Sequence, residues 1–189
     1  YAIIKILTGG LRVGVSEGIL KECLVEQGVR NKFEIEEYWH AFSPSFKNFF
    51  CWLNGEALPN DINEKELFHS FMLSDTFDEN LITKLNIKDY VCEFKWDGIR
   101  AQLVVSNFGK IYSRNGEDIT NSFPELNITS NKVSVIDGEL VVKKNGKILS
   151  FNDLQKRIGR KKVNSRILDE YPVHFLAYDI LFMHDSDCR

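Results

Sequence analysis

Cysteine is scarce in this sequence and poorly placed for chemistry. The four residues, Cys23, Cys51, Cys92 and Cys188, lie far apart and form no Cys-x-x-Cys pair. That excludes a zinc knuckle and a disulfide framework, and it fits a reducing compartment. The four histidines, His40, His69, His174 and His184, have no metal-ligand spacing and are read as structural. No apolar run approaches the roughly 18 residues of a membrane span, and the N-terminus lacks the charged, apolar, small-residue layout of a secretory signal. There is no internal repeat and no low-complexity segment, which excludes a solenoid or a disordered array. Basic charge is not in excess: 24 Lys and Arg against 27 Asp and Glu leave a net charge of −3. By itself that balance disfavours a simple nucleic-acid-coating protein. What is present is ordinary globular composition, 43% hydrophobic and 27% charged over 189 residues, enough for one core or a core with a small appendage.

The charge is unevenly spread. Residues 1–85 carry 8 basic and 13 acidic side chains, whereas residues 86–189 carry 16 and 14. Texture changes at the same place. In the first third, Ser16 suits a helix N-cap, Ile19, Leu20, Cys23 and Leu24 form an apolar stripe, and Gly28 suits a stop. A second helix is expected over 34–42. A third is expected after Ser45, with Phe46, Phe49, Phe50 and Leu53 on a core-packing face and Asn54-Gly55 at its end. Residues 58–66, with Pro59, Asn60 and Asp61, have the composition of a connector that runs into a short helix.

From Tyr90 onward the pattern is that of strands. Val91–Lys95 and Arg100–Val105 flank Asp97-Gly98, Ile111–Ser113 follows a turn, and Val133–Val142 is strongly β-like. Asn145-Gly146 between two apolar runs is the strongest hairpin signal in the chain. Residues 151–158 are expected to be helical, capped by Asn152 or Asp153 and stopped by Gly159, and 173–183 are expected to form a buried strand.

The chemistry concentrates in Glu93-Phe94-Lys95-Trp96-Asp97-Gly98-Ile99-Arg100. On this reading a lysine ends a strand, a tight turn follows, and an arginine opens the next strand, where its fork of donors can reach a phosphate. A lysine amine has a pKa near 10.4 and must lose its proton to attack phosphorus, so nearby cations would favour the neutral form. The pattern Lys-x-Asp-Gly-x-Arg arises by chance with a probability on the order of 0.3% in a chain of this length. Three further segments follow: Arg114 before a turn, Glu139 in Asp137-Gly138-Glu139 inside an apolar strand, and Tyr178 in Ala177-Tyr178-Asp179-Ile180-Leu181. Taken singly, each has an ordinary structural explanation: a turn residue, a strand-end turn, a core ring. A buried Glu139 is costly unless it meets a metal, an arginine or a ligand hydroxyl.

Taken in order, these segments resemble the covalent nucleotidyltransferases, and specifically the ATP-dependent DNA ligases of bacterial type. Lys95-Trp96-Asp97-Gly98-Ile99-Arg100 is similar to the family's first motif, Arg114 to its next, Asp137-Gly138-Glu139 to its third and Ala177–Leu181 to the one after. Leu7–Ser16 resembles the end of the helical DNA-binding domain, and Phe151–Lys161 is likewise similar to those enzymes. The resemblance implies an α+β fold: a nucleotidyltransferase (adenylation) fold of antiparallel sheets flanked by helices, ATP-grasp-like, preceded by the end of an all-α DNA-binding domain. Residues 1–57 would close the helical domain, 58–67 would be a linker and 68–189 the first part of the adenylation domain. It further implies that Lys95 is the nucleophile and that Glu93 lies against adenine. Arg100 and Arg114 reach ribose or phosphate, Glu139 meets the ribose and assists Mg²⁺, and Tyr178 stacks on the base, while Asp97 and Gly98 hold the turn. ATP, Mg²⁺ and nicked double-stranded DNA are the implied partners, for a cytoplasmic, nucleoid-acting monomer independent of membranes.

The family's later glutamate-containing and paired-lysine motifs and its oligonucleotide-binding domain have no match here, and the sequence opens at Tyr1. The expectation is a fragment that retains the nucleophile and lacks part of the pocket. Residues 143–166 hold nine basic side chains and one acidic, Asp153. With the resemblance, Lys156, Arg157, Arg160, Lys161 and Lys162 become candidates for DNA-phosphate contact. RNA ligases and capping guanylyltransferases share Lys-x-Asp-Gly, and a non-catalytic DNA-binding remnant is the alternative from outside the enzymes.

Overall fold

The computed structural model describes residues 14–42, 46–72, 74, 80, 84–160 and 162–189. The chain forms two compact units, residues 1–62 and 63–189.

In the first unit, α1 (Glu17–Gln27) starts where the Ser16 hydroxyl accepts from the Ile19 amide. Helix α2 (Lys32–Tyr38) starts from a capping box in which Asn31 and Glu34 satisfy each other's backbone amides at 3.0 and 2.8 Å. That box sets the helix two residues earlier than the apolar spacing suggests. Helix α3 (Phe46–Leu53) ends at Gly55, whose φ of +99° suits glycine. Ser45 and residues 7–13 lie outside the described residues. The core is Leu24, Ile35, Phe42, Phe49, Trp52 and Leu53. Two expected stripes are corrected here. Ile19, Leu20 and Cys23 on α1 and Phe46 and Phe50 on α3 are exposed, and Trp52 is buried in their stead. Its indole lies 5.4 Å from Phe42 and 5.9 Å from Phe49, and the guanidinium of Arg30 stacks 4.9 Å above it. Gly28 ends α1 in extended rather than left-handed backbone, and glycine is favoured there because a Cβ would come within 2.8 Å of Leu53.

The second unit is a curled antiparallel sheet with short helices, an α+β arrangement. Its strands are β1 (Ile99–Val105), β2 (Lys110–Ser113), β3 (Ser134–Lys144), β4 (Lys147–Ile148), β5 (Val173–Met183) and β6 (Ser186–Asp187), ordered β2-β1-β3-β5-β6, with β4 paired to the end of β3. Asn145 and Gly146, both at positive φ, make the β3–β4 turn as expected. Alternation along β1 and β3 gives the sheet two different faces. One carries Ala101, Leu103, Ile111, Leu140, Val142 and Val173, covered by Phe123 and by Leu154 of α4 (Phe151–Gln155). The other carries Arg100, Gln102 and Val104 beside Glu139, Asp137 and Val135.

On that second face Gln102 fastens the segment around Phe68. Gln102, fully buried, accepts from the His69 amide at 2.8 Å and donates to the His69 carbonyl at 3.1 Å, replacing a missing strand partner. Phe68, Val104, Tyr112, Val133, Val135 and Phe182 form the adjoining core. The Tyr112 hydroxyl donates to the Glu66 carbonyl at 3.2 Å, and burial raises its pKa.

Three other expectations change. Residues 91–96 form no strand, and 91–95 stay exposed, since none of the described strands pairs with them. Strand β5 spans the expected residues, but only Val173 and Phe182 are buried, because an unbroken apolar run does not reveal which face is covered. Helix α4 has Ser150 rather than Asn152 or Asp153 at its N-cap position, with the Ser150 hydroxyl donating to the Asp153 carboxylate at 2.8 Å, and is shorter than expected, the chain turning to Gly159 at φ +71°.

Arg157, expected at a DNA surface, is fully buried. Its guanidinium grips Glu125 through two bonds of 2.7 Å and donates to the Ser122 and Tyr171 carbonyls at 2.8 Å, tying the end of α4 to the loop at 122–125 and the approach to β5. A cation with that many partners is structural, since breaking it strands a carboxylate and two carbonyls. Arg157→Met should therefore cost about 3 kcal/mol in urea unfolding. The exposed Lys162→Met should stay within about 0.5 kcal/mol of wild type. Equal effects of the two substitutions would contradict the assignment.

Candidate active site

The charged face of β1 and β3 ends in a corner built by register. Arg100 stands opposite Glu139 and Gln102 opposite Asp137, so both carboxylates and the guanidinium share one face. Asp137, 4% exposed, is met by Arg100 in a two-bond fork, Nε to Oδ1 at 2.7 Å and a second bond to Oδ2. That hydrogen-bonded carboxylate raises the Arg100 pKa further. The guanidinium lies between two rings, 5.4 Å from the centroid of Phe71 and 4.5 Å from that of Tyr178. Phe71 reaches it because the Gln102–His69 clamp holds the preceding residues.

Tyr178 is aimed by irregularity in β5. Asp179 pairs with Asp137 and Ala177 with Gly138, so Tyr178 bulges out of the ladder. Its hydroxyl lies 3.4 Å from Glu139 Oε2 and 3.3 Å from the Phe94 carbonyl. Burial raises its pKa, and the Glu139 charge adds to that. Glu139 itself is buried, and desolvation pushes its carboxyl upward against the opposing pull of Arg100, the Tyr178 hydroxyl and Lys95. The Lys95 segment adjoins this corner through the Phe94 carbonyl, which accepts from the Tyr178 hydroxyl.

Lys95 occupies a different local structure from the expected strand end. The Trp96 amide donates to the Phe94 carbonyl at 3.2 Å, a three-residue turn with Lys95 at its centre. The Phe94 and Trp96 rings, 5.2 Å apart, flank it, and the lysine side chain is exposed. Gly98 is also needed for another reason than a positive-φ turn. A Cβ there would lie 2.2 Å from the Leu140 carbonyl and 2.8 Å from Glu139 Cγ, so glycine lets β1 begin pressed against β3 at Glu139. Gly138 plays the same part toward β5, where a Cβ would meet the Leu176 carbonyl at 2.4 Å.

The structure brings together Lys95, Arg100, Glu139 and Tyr178 from the sequence-derived set. Glu93, Asp97 and Arg114 are exposed and outside the hydrogen-bonded corner, although Arg114 follows β2 at the sheet end where Arg100 stands, Ser113 pairing with Ala101. Asp137 went without a role in the sequence reading, as did Phe71 and Gln102. The two-residue spacing of Asp137 and Glu139 in a β-like run was the available signal. Among the basic candidates Lys156 is occupied by Asp153 at 2.8 Å and the Tyr171 hydroxyl at 2.9 Å. Arg160 and Lys162 are exposed, and Lys161 lies outside the described residues. No group of three or more His, Cys, Asp or Glu among the described residues could hold a metal alone. No helix among the described residues is long and apolar enough to cross a membrane.

The family model described as the ATP dependent DNA ligase domain matches residues 71–188, which include the whole corner. A probable DNA ligase of Koribacter versatilis is 31% identical over 192 residues, covering 95% of this chain and 32% of its own length. A DNA ligase of Pyrobaculum arsenaticum is 28% identical over 196 residues, 98% of this chain and 33% of that one. A solved structure of mycobacterial DNA ligase D complexed with ATP and MES is 27% identical, covers 50% of this chain and 30% of that chain, and superposes with a TM-score of 0.38. The chain spans about a third of the length of the curated relatives it matches throughout. On the match across residues 71–188, the chain belongs to the ATP-dependent DNA ligase domain family.

Proposed function

We propose that this chain carries the nucleotide-transfer centre of an ATP-dependent DNA ligase. The observation that carries the reading is the meeting of Lys95 with Arg100, Glu139 and Tyr178 at one corner of a sheet within a matched ligase domain. In the first step the neutral Lys95 amine bonds to the α-phosphorus of ATP, the bond to pyrophosphate breaks, and the amine proton leaves to solvent. In the second, a 5′-phosphate oxygen at a DNA nick takes the AMP and the Lys95 P–N bond breaks. In the third, the 3′-hydroxyl attacks that phosphate and AMP departs. Arg100, immobilised by Asp137, suits a negative ribose-phosphate edge, with Arg114 and Glu93 completing the nucleotide contacts. Tyr178 offers a ring to the base, and Glu139 an acceptor to a ribose hydroxyl.

A magnesium ion fits this donor set as a partner of the nucleotide. Asp137 gives both oxygens to Arg100, leaving Glu139 as the single carboxylate beside phosphates that would supply the other ligands. When bound, such an ion supplies charge neutralisation on the phosphates. The linker at 58–67, the helical DNA-binding role of the first unit, a monomeric state and a cytoplasmic, nucleoid setting belong to the same reading. So does nicked DNA as the substrate, which the names of the relatives support. Asp97 is assigned to support of the Lys95 segment.

The DNA-facing role narrows to Arg160 and Lys162 among the described candidates, with Lys156 partly neutralised by Asp153. Incubating the whole protein with ATP and Mg²⁺ should add one AMP by intact mass, and Lys95→Ala should abolish the addition. An adduct that persists in Lys95→Ala would refute the assignment. Reversing both Arg160 and Lys162 should weaken nick binding and lower the slope of log affinity against log salt by about 1 to 2. An unchanged slope would remove them from the DNA surface.

A further inference from the structure

Among the described residues, the Tyr178 hydroxyl holds the nucleophile segment from outside. Residues 91–96 have no strand partner among the described elements, residues 91–95 lie exposed, and Val91 and Phe94 are 88% and 78% exposed. A three-residue turn in such a segment has only one bent internal hydrogen bond, the Trp96 amide to the Phe94 carbonyl. On its own it would interconvert with other backbone shapes. The Tyr178 hydroxyl donates to the same Phe94 carbonyl at 3.3 Å, the acceptor that closes the turn. It therefore holds the backbone just before Lys95, at the carbonyl on which the turn closes.

We propose that Tyr178 is a positioning residue for the nucleophile, its hydroxyl locking the turn that aims the Lys95 amine. This inference rests on the ligase reading and adds to it a role for the oxygen, distinct from the ring that would stack on the base. The anchor is itself immobile. The bulge in β5 projects Tyr178, the Arg100 guanidinium backs its ring at 4.5 Å, and Asp137 fixes Arg100. A continuous chain of contacts thus runs from a buried carboxylate to the reacting segment. Attack on phosphorus requires close approach along the axis of the leaving group, so a wandering backbone at Lys95 would lower the rate at saturating nucleotide. It would leave stacking on the ring unchanged. Removing one oxygen separates the two roles.

The test is single-turnover transfer from α-labelled ATP with Mg²⁺ in the whole protein, across ATP concentrations, for wild type, Tyr178→Phe and Tyr178→Leu. Tyr178→Phe should lower the maximal rate about tenfold while keeping half-saturating ATP within about twofold. Its Trp96 amide should exchange faster with solvent at an unchanged thermal midpoint. Tyr178→Leu should lose both rate and ATP affinity. A Tyr178→Phe maximal rate equal to wild type, or a loss carried wholly by weaker ATP dependence, would overturn the positioning role. Wild-type protein that takes up no AMP would overturn the ligase reading, and this role with it.

Discussion

The pairing of Arg100 with Asp137 is the constraint around which the rest of the corner is arranged. A carboxylate 4% exposed within a sheet is costly without a cation across both oxygens, and β1 supplies that cation from the neighbouring strand. Once the guanidinium is fixed, its flat faces are available to rings, and Phe71 and Tyr178 take them. Glycines at 98 and 138 make the arrangement possible by letting three strands approach more closely than any side chain would allow. On the ligase reading, these fixed contacts are the preorganisation that catalysis by positioning requires.

Its charges are balanced. Lys95 and Arg100 stand against Asp137 and Glu139, so this is not a bare cationic trap for any anion. Glu139 contributes a further tension, because burial favours its neutral form while three neighbours favour the charged one. On the ligase reading, a nucleotide whose phosphates arrive with a metal ion suits such a corner better than a free polyanion. The same lesson of scale applies to the whole chain. A net charge of −3 conceals a basic stretch at 143–166, and within that stretch each side chain has its own fate. Arg157 is sealed in the core, Lys156 is shared with Asp153, and Arg160 and Lys162 remain exposed.

What could be read without coordinates was local or patterned. The Asn145-Gly146 hairpin, the long strand before it and the cap at Ser16 each depend on neighbouring residues, and each formed as their chemistry dictates. The motif around Lys95 was legible as a motif, but its backbone was not. Apolar alternation at 91–95 promises a strand only if another strand is there to pair. Arg157 was misread because its partner, Glu125, lies 32 residues earlier, and no local pattern announces that meeting. Asp137 stood in a quoted motif without a role, because that role appears only when the β1–β3 register is known. Strand β5 carried the right length and the wrong burial, since hydrophobicity alone does not say which side of a sheet is covered.

The claim that the corner is a unit built on Arg100 and Asp137 is most directly tested by a double-mutant cycle in urea unfolding, with Arg100→Met, Asp137→Leu and the pair together. Each single change strands a buried or half-buried charge, whereas the double change removes both. The account predicts a coupling of about 2 kcal/mol or more, with the double variant more stable than Asp137→Leu. Additive effects, within about 0.5 kcal/mol, would contradict it.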